Sequence, residues 1–89
     1  MSEGAYRIRI HLVGLDKDRA KDLRYALHDY VKGAGKSILR DMMKRAYEGE
    51  RILVYQTNDD ADAEAAMRTL SRAGGKLEVE GLREAEEPF

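Results

Sequence analysis

The hydrophobic repeat of this chain switches from two to about 3.6 residues and back, and glycines mark most of the switches. Tyr6-Arg7-Ile8-Arg9-Ile10-His11-Leu12 alternates apolar and polar residues strictly, as a strand with one buried face does. Tyr6, Ile8, Ile10 and Leu12 share one side. Arg7, Arg9 and His11 share the other, which is expected to face water. From Lys17 to Lys32 the spacing is helical, with Ala20, Leu23, Leu27, Tyr30 and Val31 recurring at intervals of three and four. Asp16 is placed to cap that helix. Gly33-Ala34-Gly35 breaks it, because glycine accepts the positive φ of a helix end. A second helix is expected from Lys36 to Tyr47, with Ile38, Leu39, Met42, Met43 and Ala46 inward and Gly49 as its stop.

Ile52-Leu53-Val54-Tyr55 is a short apolar run of β-forming residues, read as a strand with both faces partly covered. Asp59, Asp60, Asp62 and Glu64 crowd the start of a third helix, where the helix dipole favours carboxylates. That helix turns Ala63, Ala66, Met67, Leu70 and Ala73 inward and ends at Gly74-Gly75. Leu77-Glu78-Val79-Glu80 alternates again as a last strand. The order β-α-α-β-α-β in 89 residues is enough for one core and too little for two. It implies an α+β fold, a two-layer sandwich with a three-stranded sheet and three helices on one face. A β-α-β crossover makes the last two strands parallel, with the first between them. Arg7 and Arg9 are then expected beside Glu78 and Glu80. Residues 1–82 read as this single domain, and residues 83–89 as a flexible acidic tail holding the only proline.

The residue inventory narrows the chemistry. With no cysteine, disulfides, thiolate metal sites and thiol catalysis drop out. His11 and His28 stand alone, without a nucleophile or second ligand at a motif spacing. The four acidic residues at 59–64 lack the glycine and distal glutamate of a calcium loop. Gly35-Lys36-Ser37 has the ending of a phosphate-binding loop. Tyr30 stands where that loop needs its first glycine, and a helix precedes it rather than a strand. A non-catalytic domain that needs no cofactor and no metal is the expectation. No segment reaches the ~20 apolar residues of a membrane span, and no signal-peptide pattern opens the chain, so a cytoplasmic location is expected.

A family resemblance covers roughly residues 6–80. Asp62-Ala63-Glu64-Ala65, then Leu70, Ala73-Gly74 and Leu77-Glu78-Val79-Glu80 are similar to the ending of the C-terminal domain of the bacterial ribosomal stalk protein. There an Asp-Ala-Glu-Ala helix runs into Ala-Gly and a Val-Glu-Val strand. Gly33-Ala34-Gly35 resembles that family's Gly-Leu-Gly hinge, and Lys36-Ser37-Ile38-Leu39-Arg40-Asp41-Met42-Met43 the helix after it. The resemblance implies the same β-α-α-β-α-β fold and a binding face on the two-helix hairpin, the face with which the family recruits translation GTPases. Lys21 and Arg40 fall at or near family lysines. Asp29 stands near a family arginine and reverses its charge.

Charge supports a protein partner. Residues 1–57 carry 12 Lys/Arg against 8 Asp/Glu, and residues 58–89 carry 4 against 9. The candidate partner-binding residues are Lys21, Arg24, Lys32, Gly33, Ala34, Gly35, Lys36 and Arg40, which flank or form the glycine break. An acidic protein, or a GTPase, is the expected partner, with the domain itself a monomer or weak homodimer. Asp18, Asp22, Asp29 and Asp41 interrupt the basic residues, so a salt-bridged surface is the competing expectation. Two other functions fit the architecture. One is an adaptor for an ATP-dependent protease, although the His-Asn-Asp-type loop of the Clp adaptors is absent after His11. The other is a nucleic-acid-binding domain, which ranks lower because net charge is −1 and no aromatic row lies on a strand.

Overall fold

A computed structural model describes residues 6–81. Strand β1 (Ile8–Leu15) is followed by a short 3-10 turn (Lys17–Arg19), then α1 (Ala20–His28), α2 (Lys36–Tyr47), β2 (Ile52–Thr57), α3 (Asp60–Arg72) and β3 (Gly75–Glu80). The sheet order is β2-β1-β3. Both outer strands run antiparallel to β1, and are therefore parallel to each other, with β1 between them as the crossover rule implies. The acidic tail expected at 83–89 lies outside the described residues.

The core forms where the predicted faces meet. Ile8, Ile10 and Leu12 of β1 are fully buried against Leu23 and Leu27 of α1, Leu39 of α2 and Leu70 of α3. Each such side chain contributes about 1.5–3 kcal/mol. Ala63 and Ala66 are buried on the inner face of α3, and small side chains there let that helix lie close to the sheet. Gly75 shows how close the layers come: a Cβ there would meet Leu12 Cδ1 at 3.1 Å, the Leu70 carbonyl oxygen at 3.1 Å and Leu23 Cδ1 at 3.2 Å.

Three expectations change. The first helix is shorter than 17–32. It opens as a 3-10 turn, capped by the Asp16 carboxylate accepting from the Asp18 amide, and α1 ends at His28. Tyr30 and Val31 still pack on the core, because their amides donate to the Leu27 carbonyl in one further turn. Ile38 is 55% exposed rather than inward. The buried stripe of α2 runs through Leu39, Met43 and Ala46, spaced by four and three, and Ile38 lies one step outside it. His11 is only 8% exposed, although it lies opposite Leu53 and Glu78 on the face without helices.

Bulges explain the apolar run of β2. Ile10 pairs with Tyr55 while His11 pairs with Leu53, so Val54 is the extra residue. The bulge resets the alternation, and Ile52, Val54 and Thr57 are all buried.

Candidate functional site

The two faces of the molecule use their basic residues differently. On the open sheet face the arginines are committed. Arg51 lies just before β2, yet its Nε and Nη2 donate to Glu78 Oε1 at 2.7 Å and Glu80 Oε2 at 2.6 Å on the far strand β3. Its side chain must therefore cross β1. These bonds raise the Arg51 pKa above its ordinary value, and the bond from Arg51 holds Glu80 below the usual carboxylate range. Arg9 stands 3.8 Å from Glu80. His11 occupies β1 between those strands, opposite Leu53 and Glu78, on the path the Arg51 side chain takes to β3. Its buried Nδ1 has no hydrogen-bond partner among the described residues.

Arg7 forms no ion pair with Glu78 or Glu80 among the described residues. Its amide donates to Asn58 Oδ1 at 2.7 Å, and its guanidinium donates to the carbonyls of Gly81 and Asn58 and to Asp60 Oδ1 at 2.9 Å. It ties the two outer strand ends to the start of α3. The acidic cluster is likewise structural. Asp59 Oδ1 accepts from the Ala61 amide at 3.0 Å as the cap of α3, and Asp62 Oδ2 accepts from the Tyr55 hydroxyl at 2.6 Å. That bond, chiefly, pushes the Tyr55 pKa up to about 12. Among the described residues no three His, Asp or Glu side chains converge as metal ligands.

The helical hairpin is different. Lys17, Lys21, Arg24, Lys32, Lys36, Arg40 and Lys44 make no ion pair among the described residues. The interrupting carboxylates do not neutralise them. Asp22 lies against Arg19 at 3.7 Å and Asp41 against Arg45 at 3.8 Å, while Asp18 and Asp29 pair with nothing described.

The candidate cations do not share one groove. Arg24 and Lys36 line one groove between α1 and α2, about 340 Å³ in volume, with Tyr25, His28 and Leu39. The Arg24 guanidinium lies 5.4 Å from the Tyr25 ring, which is 62% exposed. Arg40 faces away into a separate apolar groove with Lys17, Lys44 and Tyr47. Lys32 belongs to a third groove, along β2. Lys21 is exposed and lines none of these. Within the glycine break, Gly33 (φ 75°) and Gly35 are exposed, but Ala34 is buried and plugs the turn from inside. A partner can touch the two glycines and not Ala34.

Tyr25, His28 and the β2 groove were absent from the candidate set. The signal for Tyr25 was its helical spacing of four from Lys21 and one from Arg24, which sets an aromatic ring among the cations. No family model, no curated protein and no solved structure matches this chain. Among the described residues no helix is long and apolar enough to cross a membrane.

Proposed function

We propose that this domain is a non-catalytic protein-binding module that docks an acidic partner on the α1–α2 hairpin. The observation that carries it is the cation set of that hairpin, which makes no ion pair among the described residues, in contrast to the opposite, open sheet face, where Arg7, Arg9 and Arg51 all meet carboxylates. Isolated cations speed the encounter with an acidic surface and select against basic ones. Arg24 and Lys36 flank a groove holding an exposed tyrosine, and Tyr and Arg are the residue types that anchor interfaces most often. The resemblance to the ribosomal stalk domain supports the same face and makes a translation GTPase the first partner to try. A cytoplasmic location goes with this reading. The protease-adaptor and nucleic-acid readings stand as alternatives, but no contact in the hairpin favours them.

Differential capture from the native cell extract tests the proposal, with three immobilised baits: the wild-type chain, Arg24→Glu with Lys36→Glu, and Arg9→Glu. A protein retained by the first and third and lost from the second is the expected result. A protein lost only from the Arg9→Glu bait places docking on the open sheet face and rejects the hairpin. Binding of nucleic acid alone, steeply weakened by salt, rejects the protein-partner reading.

A further inference from the structure

The geometry points to β2 as a strand-accepting edge, which binds an extended acidic segment of a partner protein by adding it to the sheet. The two edges of this sheet differ in kind. β3 carries Lys76, Glu78 and Glu80, and charged side chains are the usual guard of an edge against pairing. β2 reads Ile-Leu-Val-Tyr-Gln-Thr, with no charge, glycine or proline. It pairs only with β1, and residues 52–57 form no other backbone hydrogen bond among the described residues. Its outer amides and carbonyls therefore lack backbone partners among the described residues, and main-chain pairing there supplies affinity independent of sequence.

The groove along this edge, about 520 Å³, is lined by Leu53 to Thr57, by Tyr30, Val31 and Lys32 of the turn after α1, and by Tyr6 before β1. Tyr30 and Tyr55 meet edge to face at 5.1 Å. The bond from the Tyr55 hydroxyl to Asp62 holds that floor in place. The turn after α1 thus forms a wall beside the edge. Side chains on one side of that strand would rest on Tyr30, Val31 and Tyr55, and those on the other beside Leu53. Lys32 is the only charged residue lining the groove and has no ion pair among the described residues. An Asp or Glu in the incoming segment complements it. A second copy of this chain does not fit as well, since two-fold pairing of β2 with β2 brings a second Lys32 and a second hairpin wall to the same seam.

The inference takes the acidic character of the partner from the proposed function, but not the docking face. The test separates the two. A displayed library of random linear peptides, long enough to span the 6 residues of β2, is selected on the full chain. The enriched peptide is then titrated into the isotope-labelled protein. The expected peptides alternate apolar and polar residues and include Asp or Glu. Cross-strand contacts to residues 52–57 and slowed amide exchange there are expected, with binding weakened about tenfold or more by Leu53→Glu or by Lys32→Glu. Both sites are exposed, and circular dichroism verifies folding. Loss of binding with Arg24→Glu and Lys36→Glu, but not with Leu53→Glu, would sink the strand inference and leave hairpin docking standing. Loss with Leu53→Glu alone would support the strand inference and count against the hairpin. Enrichment of helical or proline-rich peptides, no enrichment at all, or self-association through β2 would each overturn it.

Discussion

Two glycines two residues apart, in the same turn, are expected to respond to substitution with opposite sign. Gly33 holds φ 75°, and a Cβ there would meet nothing within 4 Å. Space is therefore not the issue. The cost of Gly33→Ala is backbone strain in the left-handed region, about 1–2 kcal/mol, partly offset by a stiffer unfolded chain at about 0.4–1 kcal/mol. A net loss of about 1 kcal/mol follows. Gly35 has φ −82° and ψ 179°, extended backbone open to any residue, and also has nothing within 4 Å of a Cβ. It is the N-cap of α2 and makes no side-chain cap bond. Gly35→Ser adds a hydroxyl acceptor worth a few tenths of a kcal/mol over glycine and gains the same unfolded-state term, for about 1 kcal/mol of added stability. Unfolding entropy scaled to 89 residues converts each kcal/mol into a Tm change of about 5 °C. Calorimetry of both variants should show one Tm down and the other up. Shifts of the same sign would refute the assignment of the hinge to Gly33 and of the cap to Gly35.

Other consequences follow from the same contacts. Tyr55, with its pKa raised from 10.0 to about 12 chiefly by the bond to Asp62, should contribute an ionisation step near pH 12 to an ultraviolet titration, and Tyr55→Phe should remove that step. Its bond contributes stability that is whole below pH 10 and fades as the pH rises towards 12, and Tyr55→Phe should abolish that alkaline loss. Glu80, held below its ordinary value of 4.5 by Arg51, contributes stability present above that value and lost as the pH falls below it. Arg51→Gln should lower Tm at neutral pH and flatten the acid limb of a Tm-against-pH curve. His11→Phe removes the unpartnered buried Nδ1 while keeping a flat ring. It should be neutral or stabilising by about 1 kcal/mol in denaturant unfolding, and a large loss would mean that the imidazole has a partner.

Element order was legible because glycines bound the pieces. The second helix, set between Gly35 and Gly49, has the expected limits, Lys36–Tyr47. The first was read too long because Tyr30 and Val31 keep the helical spacing after the helix has ended, packing from a turn instead. Alternation gave His11 the correct face but not its burial, which depends on neighbours far along the chain such as Arg51, 40 residues on, whose side chain crosses β1 to reach Glu78. The cations of the candidate site were visible in sequence; whether they pair was not. Asp18 and Asp29 sit among them in the chain and neutralise none of them, because ion pairing depends on helix faces and reach rather than proximity along the chain. The β2 groove was hidden because a bulge at Val54 scrambles the period on which the reading depended.

The central claim, an acidic partner steered to the hairpin, is tested most directly by association rates. The captured partner is mixed with the wild-type chain, with Arg24→Glu plus Lys36→Glu, and with Arg9→Glu across a range of salt. Reversing two unpaired cations at the groove should slow association by on the order of tenfold at low salt, with dissociation much less affected. The difference should shrink as salt screens the field, and Arg9→Glu should track the wild type. Unchanged association for the hairpin variant, with slowed association for Arg9→Glu, would contradict hairpin docking and assign the partner to the open face of the sheet.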